Sequence, residues 1–337
     1  MLSITVSQGI RGACFCVCIF ALAGIGMSQE KADSNKPDHV LLKNDDVSIA
    51  ISKPTSPDNY RGTRFDRSGI FHKISFRGHS LCERWHDGPL KPTANDDVTG
   101  PCEEFGNGMP LGYQPNQPGS VFLKIGVGKL KQPQEERYRF SFPYEVVEEG
   151  KWTVDANDNS VVFSQSLNHG EELGYDYQKT IALTKNGFDI QHRLKNTGKT
   201  AWTTDHYNHN FFLIDSDRVG PNYRIEFPFE LKPTREAALF KELVHLNGRN
   251  MGFQRAIHPG ESYFAELVGH SRKVTDHAFE IHHKPSRVVV TCRGDAPLHK
   301  LNVWGMKNTI CPEPYVEISL LPNESKAWTL SYSFRVD

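Results

Sequence analysis

Two short stretches each set one titratable side chain among aromatic and amide neighbours: Asn208-His209-Asn210-Phe211-Phe212 and Ile310-Cys311-Pro312-Glu313-Pro314-Tyr315. A histidine and a carboxylate held across a pocket can move protons on a neutral substrate near pH 7, one as acid and one as base. A strand entering a core normally avoids the polar density of His206, Asn208, His209 and Asn210, because each such group needs a partner once buried. His206 and His209 stand three apart, which in a strand puts them on opposite faces and argues against a chelating pair. Pro312 and Pro314 cannot donate ladder hydrogen bonds, so Glu313 is expected at an edge, a bulge or a strand mouth. Their fixed φ angles would hold its carboxylate rigidly. A third cluster, Tyr60 to Gly69, carries Arg61, Arg64 and Arg67, whose forks suit carboxylates, phosphates and sugar hydroxyls. A fourth, Glu103-Glu104, is read as facing solvent.

Strands must position these groups. Period-two alternation dominates, most clearly at Trp328, Leu330, Tyr332, Phe334 and Val336, with Thr329, Ser331, Ser333 and Arg335 on the other face. Tyr177 to Leu183 and Phe188 to Leu194 read as a hairpin joined at Lys185-Asn186-Gly187. Further strands are expected at Ser160 to Ser166, Tyr223 to Leu231, Ser262 to Val268, Ala278 to His283, Arg287 to Cys292 and Leu301 to Trp304. Thr234 to Leu246 has room for one or two helical turns. Many short strands at this spacing make an antiparallel sandwich or barrel, an all-β fold. Asp87 to Pro118 is dense in Gly and Pro and reads as a long ordered loop of the kind that walls a pocket.

Residues 1–28 carry the pattern of a secretory signal peptide: Arg11, an apolar run from Ala13 to Ile25, then small Gly26, Met27 and Ser28. The run is short for a bilayer span, so an exported chain without stable membrane insertion is expected, periplasmic or extracellular. Residues 29–37 read as a disordered linker and 38–337 as one domain. With 39 basic and 40 acidic residues, the net charge of -1 gives no field for nucleic acid. Cys82, Cys102, Cys292 and Cys311 remain after the signal and admit three disulfide pairings or buried free thiols. No phosphate loop, dinucleotide fingerprint or metal-ligand spacing implies a cofactor.

The order of these motifs resembles the galactose mutarotase-like superfamily, which holds aldose 1-epimerases and hexose-6-phosphate epimerases. The resemblance rests on the Asn208-His209 element preceded by Leu194-Lys195-Asn196-Thr197-Gly198. It rests also on Leu301-Asn302-Val303-Trp304 leading into Ile310-Cys311-Pro312-Glu313-Pro314, and on the Pro322-Asn323-Glu324 turn before the last strand. It implies an antiparallel supersandwich with long loops around a concave sugar site. By that resemblance His209 is the acid at the pyranose ring oxygen, and Glu313 the base at the anomeric hydroxyl. The ring then opens, the C1–C2 bond rotates, and reclosure gives the other anomer.

Arg64, Arg67, His206 and Asn208 are expected to help bind the sugar. The family's second histidine has no counterpart in Gly106 to Pro115, and Tyr113, Gln114 or Gln117 is expected to supply a hydrogen bond in its place. Trp85, Tyr113, Trp202, Trp304 and Tyr315 have rings suited to stacking on a pyranose, although Trp304 is read as core. The expected partner is a free sugar or an oligosaccharide end, taken by a monomer or homodimer without a cofactor. The alternative is a non-catalytic exported carbohydrate-binding protein on the same fold.

Overall fold

Apolar residues at alternate positions, with almost no helix-period stretch to compete, give a chain built nearly throughout from antiparallel strands. The computed structural model describes residues 39–134 and 137–337. The expected signal peptide and linker lie outside the described residues. No helix among the described residues is long and apolar enough to cross a membrane.

A ten-stranded sheet runs through the expected hairpin, now Leu173–Thr184 and Gly187–Asn196, with Thr184 opposite Gly187. The closing strand, Ser325–Val336, pairs between Gly187–Asn196 and Val288–Gly294. Its buried face is Trp328, Leu330, Tyr332 and Phe334, as the alternation predicts, while Val336 emerges at the end. Tyr223–Glu226 is a shorter strand than expected, and Thr234 to Leu246 holds one α-helical turn, Phe240–Leu243.

A six-stranded sheet carries the site. Its order is Lys232–Glu236, Ser262–Val268, Lys300–Met306, Thr309–Leu320, Trp202–His209 and Cys102–Phe105. Apolar side chains from both large sheets, among them Phe188, Ile190, Tyr332, Tyr263, Leu267 and Val303, share one buried cluster. Two smaller sheets, of four and three strands, complete the chain.

Two sequence expectations change here. The stretch Asp87 to Pro118 is not loop throughout, because Cys102–Phe105 pairs with Trp202–His209 as an edge strand. Glu103 and Glu104 consequently lie on opposite faces of that strand, and both are buried rather than solvent-facing. Partners far away in sequence make this burial tolerable. Glu103 meets Lys179 Nζ at 2.7 Å, and Glu104 meets Arg64 Nε at 2.8 Å.

The described cysteines are all buried free thiols. Burial pushes Cys82 and Cys292 up to about 12, and raises Cys102 and Cys311 well above the ordinary thiol range. A thiol this protonated and this enclosed is a poor nucleophile. Native protein is therefore expected to leave these four unreacted with an aromatic disulfide reagent over minutes. Denaturation should release them all, and rapid reaction in the native state would contradict the burial.

Candidate functional site

Cross-strand register assembles the site. Tyr207 lies opposite Tyr315, and two residues further on His209 and Glu313 meet, with His209 Nε2 3.1 Å from Glu313 Oε1. The neighbouring pairings extend the row: Asn302 is opposite Glu313, Glu266 is opposite Asn302, and Arg235 is opposite Glu266. Side chains opposite one another share a sheet face, so one register fixes the whole row. The parallel row holds Lys300, Tyr315, Tyr207 and Glu104.

Glu313 sits in an interior strand rather than at a sheet edge. Pro312 and Pro314 are tolerated because the ladder to Trp202–His209 has ended at Tyr315, so no partner on that side needs their missing donors. The strand-mouth expectation holds on that flank alone. Asn210 Nδ2 closes the gap by donating to the Pro312 carbonyl at 2.5 Å.

Beyond His209 the chain turns sharply, and Phe211 takes φ 40, a left-handed conformation that costs a bulky residue about 1–2 kcal/mol. The turn brings its ring flat onto the imidazole, with centroids 3.9 Å apart and planes at 12°. Trp304 meets the same imidazole edge-on at 5.2 Å. Trp85 stacks on the far side of Phe211 at 5.7 Å.

The resulting cavity, of about 510 Å³, has His209, Glu313 and Asn302 on its floor. Trp85, Phe211, Phe264 and Trp304 form aromatic walls, and Asp96, Asn107 and Phe140 reach it from loops. Trp304 is thus a half-buried pocket wall and not the core residue expected from sequence. Its strand alternation hid this, because this face of the sheet is covered by a cavity instead of by another layer.

Arg64 is the one residue of the arginine cluster that lines the cavity. Glu104 holds its Nε, and its Nη2 donates to the Tyr207 hydroxyl at 3.0 Å. That hydroxyl donates in turn to Glu104 at 2.5 Å. Burial works against the charge of Arg64, but the surrounding acidic groups outweigh it and raise its pKa well above the usual value.

The other expected sugar ligands lie elsewhere. Arg67 turns away to the Gly62 and Arg61 carbonyls and to Glu149. Tyr113 packs in an aromatic cluster with Phe122, Tyr138 and Tyr144. Gln114 is exposed outside the cavity. His206 and Asn208 occupy the opposite strand face from His209 and are buried between the sheets. His206 Nδ1 accepts from Trp328 Nε1 at 3.1 Å. Asn107 is the lining residue contributed by Gly106 to Pro115. Asn302 and Glu266 read in the sequence only as parts of strands, and Lys300 and Arg235 carry no signal of their own there, because the strand pairing is what selects them.

Burial sets the protonation of the central pair. It pushes Glu313 up to about 8, against the pull of Arg64 and Lys300, and it drives His209 well below the ordinary histidine range, with Arg64 adding to the effect. Both shifts favour a neutral pair with its proton on the carboxyl. His209 Nδ1 and Asn302 Oδ1 are buried and have no protein hydrogen-bond partner. Both residues line the cavity.

Similar solved structures place this architecture. The Slr1438 protein from Synechocystis aligns with a TM-score of 0.55 at 13% identity, over 90% of this chain and 97% of that one. A galactose mutarotase-like protein from Lactobacillus casei aligns at 0.51 and 12% identity, over 88% of this chain and 100% of the other. A GalM/aldose epimerase homologue from C. elegans aligns at 0.52 and 11%, over 88% and 98%. The chain has the galactose mutarotase-like fold. No protein-family model matches its sequence, and a comparison with curated proteins returns no match.

Proposed function

We propose that the protein interconverts the anomers of a free aldose, or of the reducing end of an oligosaccharide, using His209 and Glu313. The observation that carries this reading is the buried imidazole–carboxyl contact of 3.1 Å on the floor of an aromatic-walled cavity. Ring opening removes a proton from the anomeric hydroxyl and delivers one to the ring oxygen; reclosure reverses both transfers. A pair that shares one proton contains one acid and one base whichever member holds it. With Glu313 ionised and His209 protonated, the carboxylate takes the hydroxyl proton and the imidazolium supplies the ring oxygen. Arg64 and Lys300 pull Glu313 towards its ionised form against the effect of burial, while Arg64 opposes a charge on His209. Trp304, on the cavity wall, offers an aromatic surface for the apolar side of a pyranose. Reading residues 1–28 as a signal peptide adds an exported setting to the proposal.

The pH dependence follows from the two shifts. The pair loses its shared proton as pH rises through about 8, and gains a second only well below the ordinary histidine range. Catalytic efficiency in anomer exchange should therefore stay level through neutrality and fall above pH about 8. A rate that climbs through pH 8 would mean that a bare carboxylate is needed, and would overturn the shared-proton account. The direct test follows freshly dissolved α-glucose, α-galactose and other aldoses by one-dimensional NMR. Faster equilibration with protein supports the reading, whereas sugar-induced line broadening without exchange identifies a binding protein on the same fold.

A further inference from the structure

Away from the cavity, three side chains converge at one end of the four-stranded sheet. His39 opens the edge strand His39–Lys43, and His72 lies on Phe71–Phe76, two strands across, with Val47–Ser52 between them. Asp58 comes from the loop that follows Val47–Ser52. That loop is anchored beside it by Asn59, whose Nδ2 donates to the Arg67 carbonyl at 2.8 Å and the Tyr60 carbonyl at 3.2 Å. His39 Nε2 lies 3.2 Å and 3.0 Å from the two Asp58 oxygens. The His39 and His72 rings face each other with centroids 4.4 Å apart. One ligand-capable atom from each residue falls within 4.8 Å of both others.

We propose that His39, Asp58 and His72 form a binding site for a divalent transition-metal ion, with zinc the best fit. In a tetrahedral zinc site, bonds of about 2.0–2.1 Å put neighbouring ligand atoms roughly 3.3 Å apart. The His39–Asp58 separations of 3.0 and 3.2 Å are close to that value, and the His72 ligand atom, within 4.8 Å of both partners, has to draw nearer to complete the set. Two imidazole nitrogens and one carboxylate select a borderline ion over calcium or magnesium, which prefer oxygen alone. His72 Nε2 is buried and lacks a protein hydrogen-bond partner, as a ring nitrogen kept for an ion would. Three protein ligands leave a fourth position for water. The ion would clip the edge strand to the loop and to the strand beyond its neighbour.

The site stands apart from His209 and Glu313, so its test is independent of the sugar chemistry. Tag-free protein stripped of metal is titrated with zinc chloride by calorimetry, beside Asp58→Asn and His72→Gln, with circular dichroism to confirm that both variants are folded. The expected result is one zinc per chain, a raised thermal midpoint with zinc, and affinity at least about tenfold weaker in each folded variant. Absence of stoichiometric binding, or equal affinity in wild type and both variants, would overturn the site. Anomer exchange is expected to be the same for wild type and the two variants.

Discussion

Glu313→Gln and His209→Asn should each slow anomer exchange by about 10²–10⁴-fold, the range typical of removing a positioned acid or base. Both changes keep the side chain's approximate shape, so sugar-induced line broadening should survive while exchange disappears. The two residues act on one proton, so the double variant should be scarcely slower than the worse single one. Multiplying effects would mean that the residues work separately. Glu313→Gln carries a second expectation. A carboxyl whose folded pKa is raised costs stability as pH climbs above its unfolded value of 4.5 and towards about 8. The amide has no such cost, so this inactive variant should resist urea better than wild type at pH 8, with the advantage shrinking towards pH 5. Wild-type exchange rates in either single variant would end the proposal.

The second large effect lies beneath the site. Lys179 is wholly buried and donates to Asp66 Oδ2 at 3.0 Å, to Glu103 Oε2 at 2.7 Å and to the Ser68 carbonyl at 2.5 Å. Burial opposes its charge, but the two carboxylates raise its pKa above the usual value. Lys179→Met removes the cation and leaves two buried carboxyls facing each other, a loss worth about 3–5 kcal/mol. Without Lys179, burial and mutual repulsion raise both carboxyls, whose cost grows as pH climbs above the ordinary carboxylate range. The deficit against wild type in urea unfolding should thus be larger at pH 8 than at pH 5. Adding Asp66→Asn and Glu103→Gln to Lys179→Met should recover part of it. A deficit under 1 kcal/mol would show that the cluster contributes little.

The elements most legible in the sequence are those governed by local pattern. The Lys185-Asn186-Gly187 turn and the alternation of the last strand fix their own geometry, and Ser262–Val268 and Ala278–His283 appear with the expected bounds. His209 and Glu313 stood out because one is crowded by polar neighbours and the other is bracketed by prolines. Properties decided by distant partners were hidden. Glu103 and Glu104 look solvent-facing until Lys179 and Arg64 are brought to them. Tyr113 and Gln114 sit near Asn107 in sequence, yet only Asn107 lines the cavity. His206 and Asn208 are excluded from it by strand alternation, a rule the sequence already contained.

The cavity's floor and its rim have different origins. His209 and Tyr207, Glu313 and Asn302 sit on three adjacent strands of one sheet, so a single-residue insertion within any of those strands would carry its residues to the other face. Asp96, Asn107 and Phe140 come from connecting segments that can change length without disturbing that sheet. On the proposed reading, selectivity for one sugar over another can therefore drift by loop exchange while the proposed His209–Glu313 pair stays where it is. If the proposed anomer exchange holds, a graft of those three segments from a related fold should alter which sugar is taken and leave the reaction unchanged.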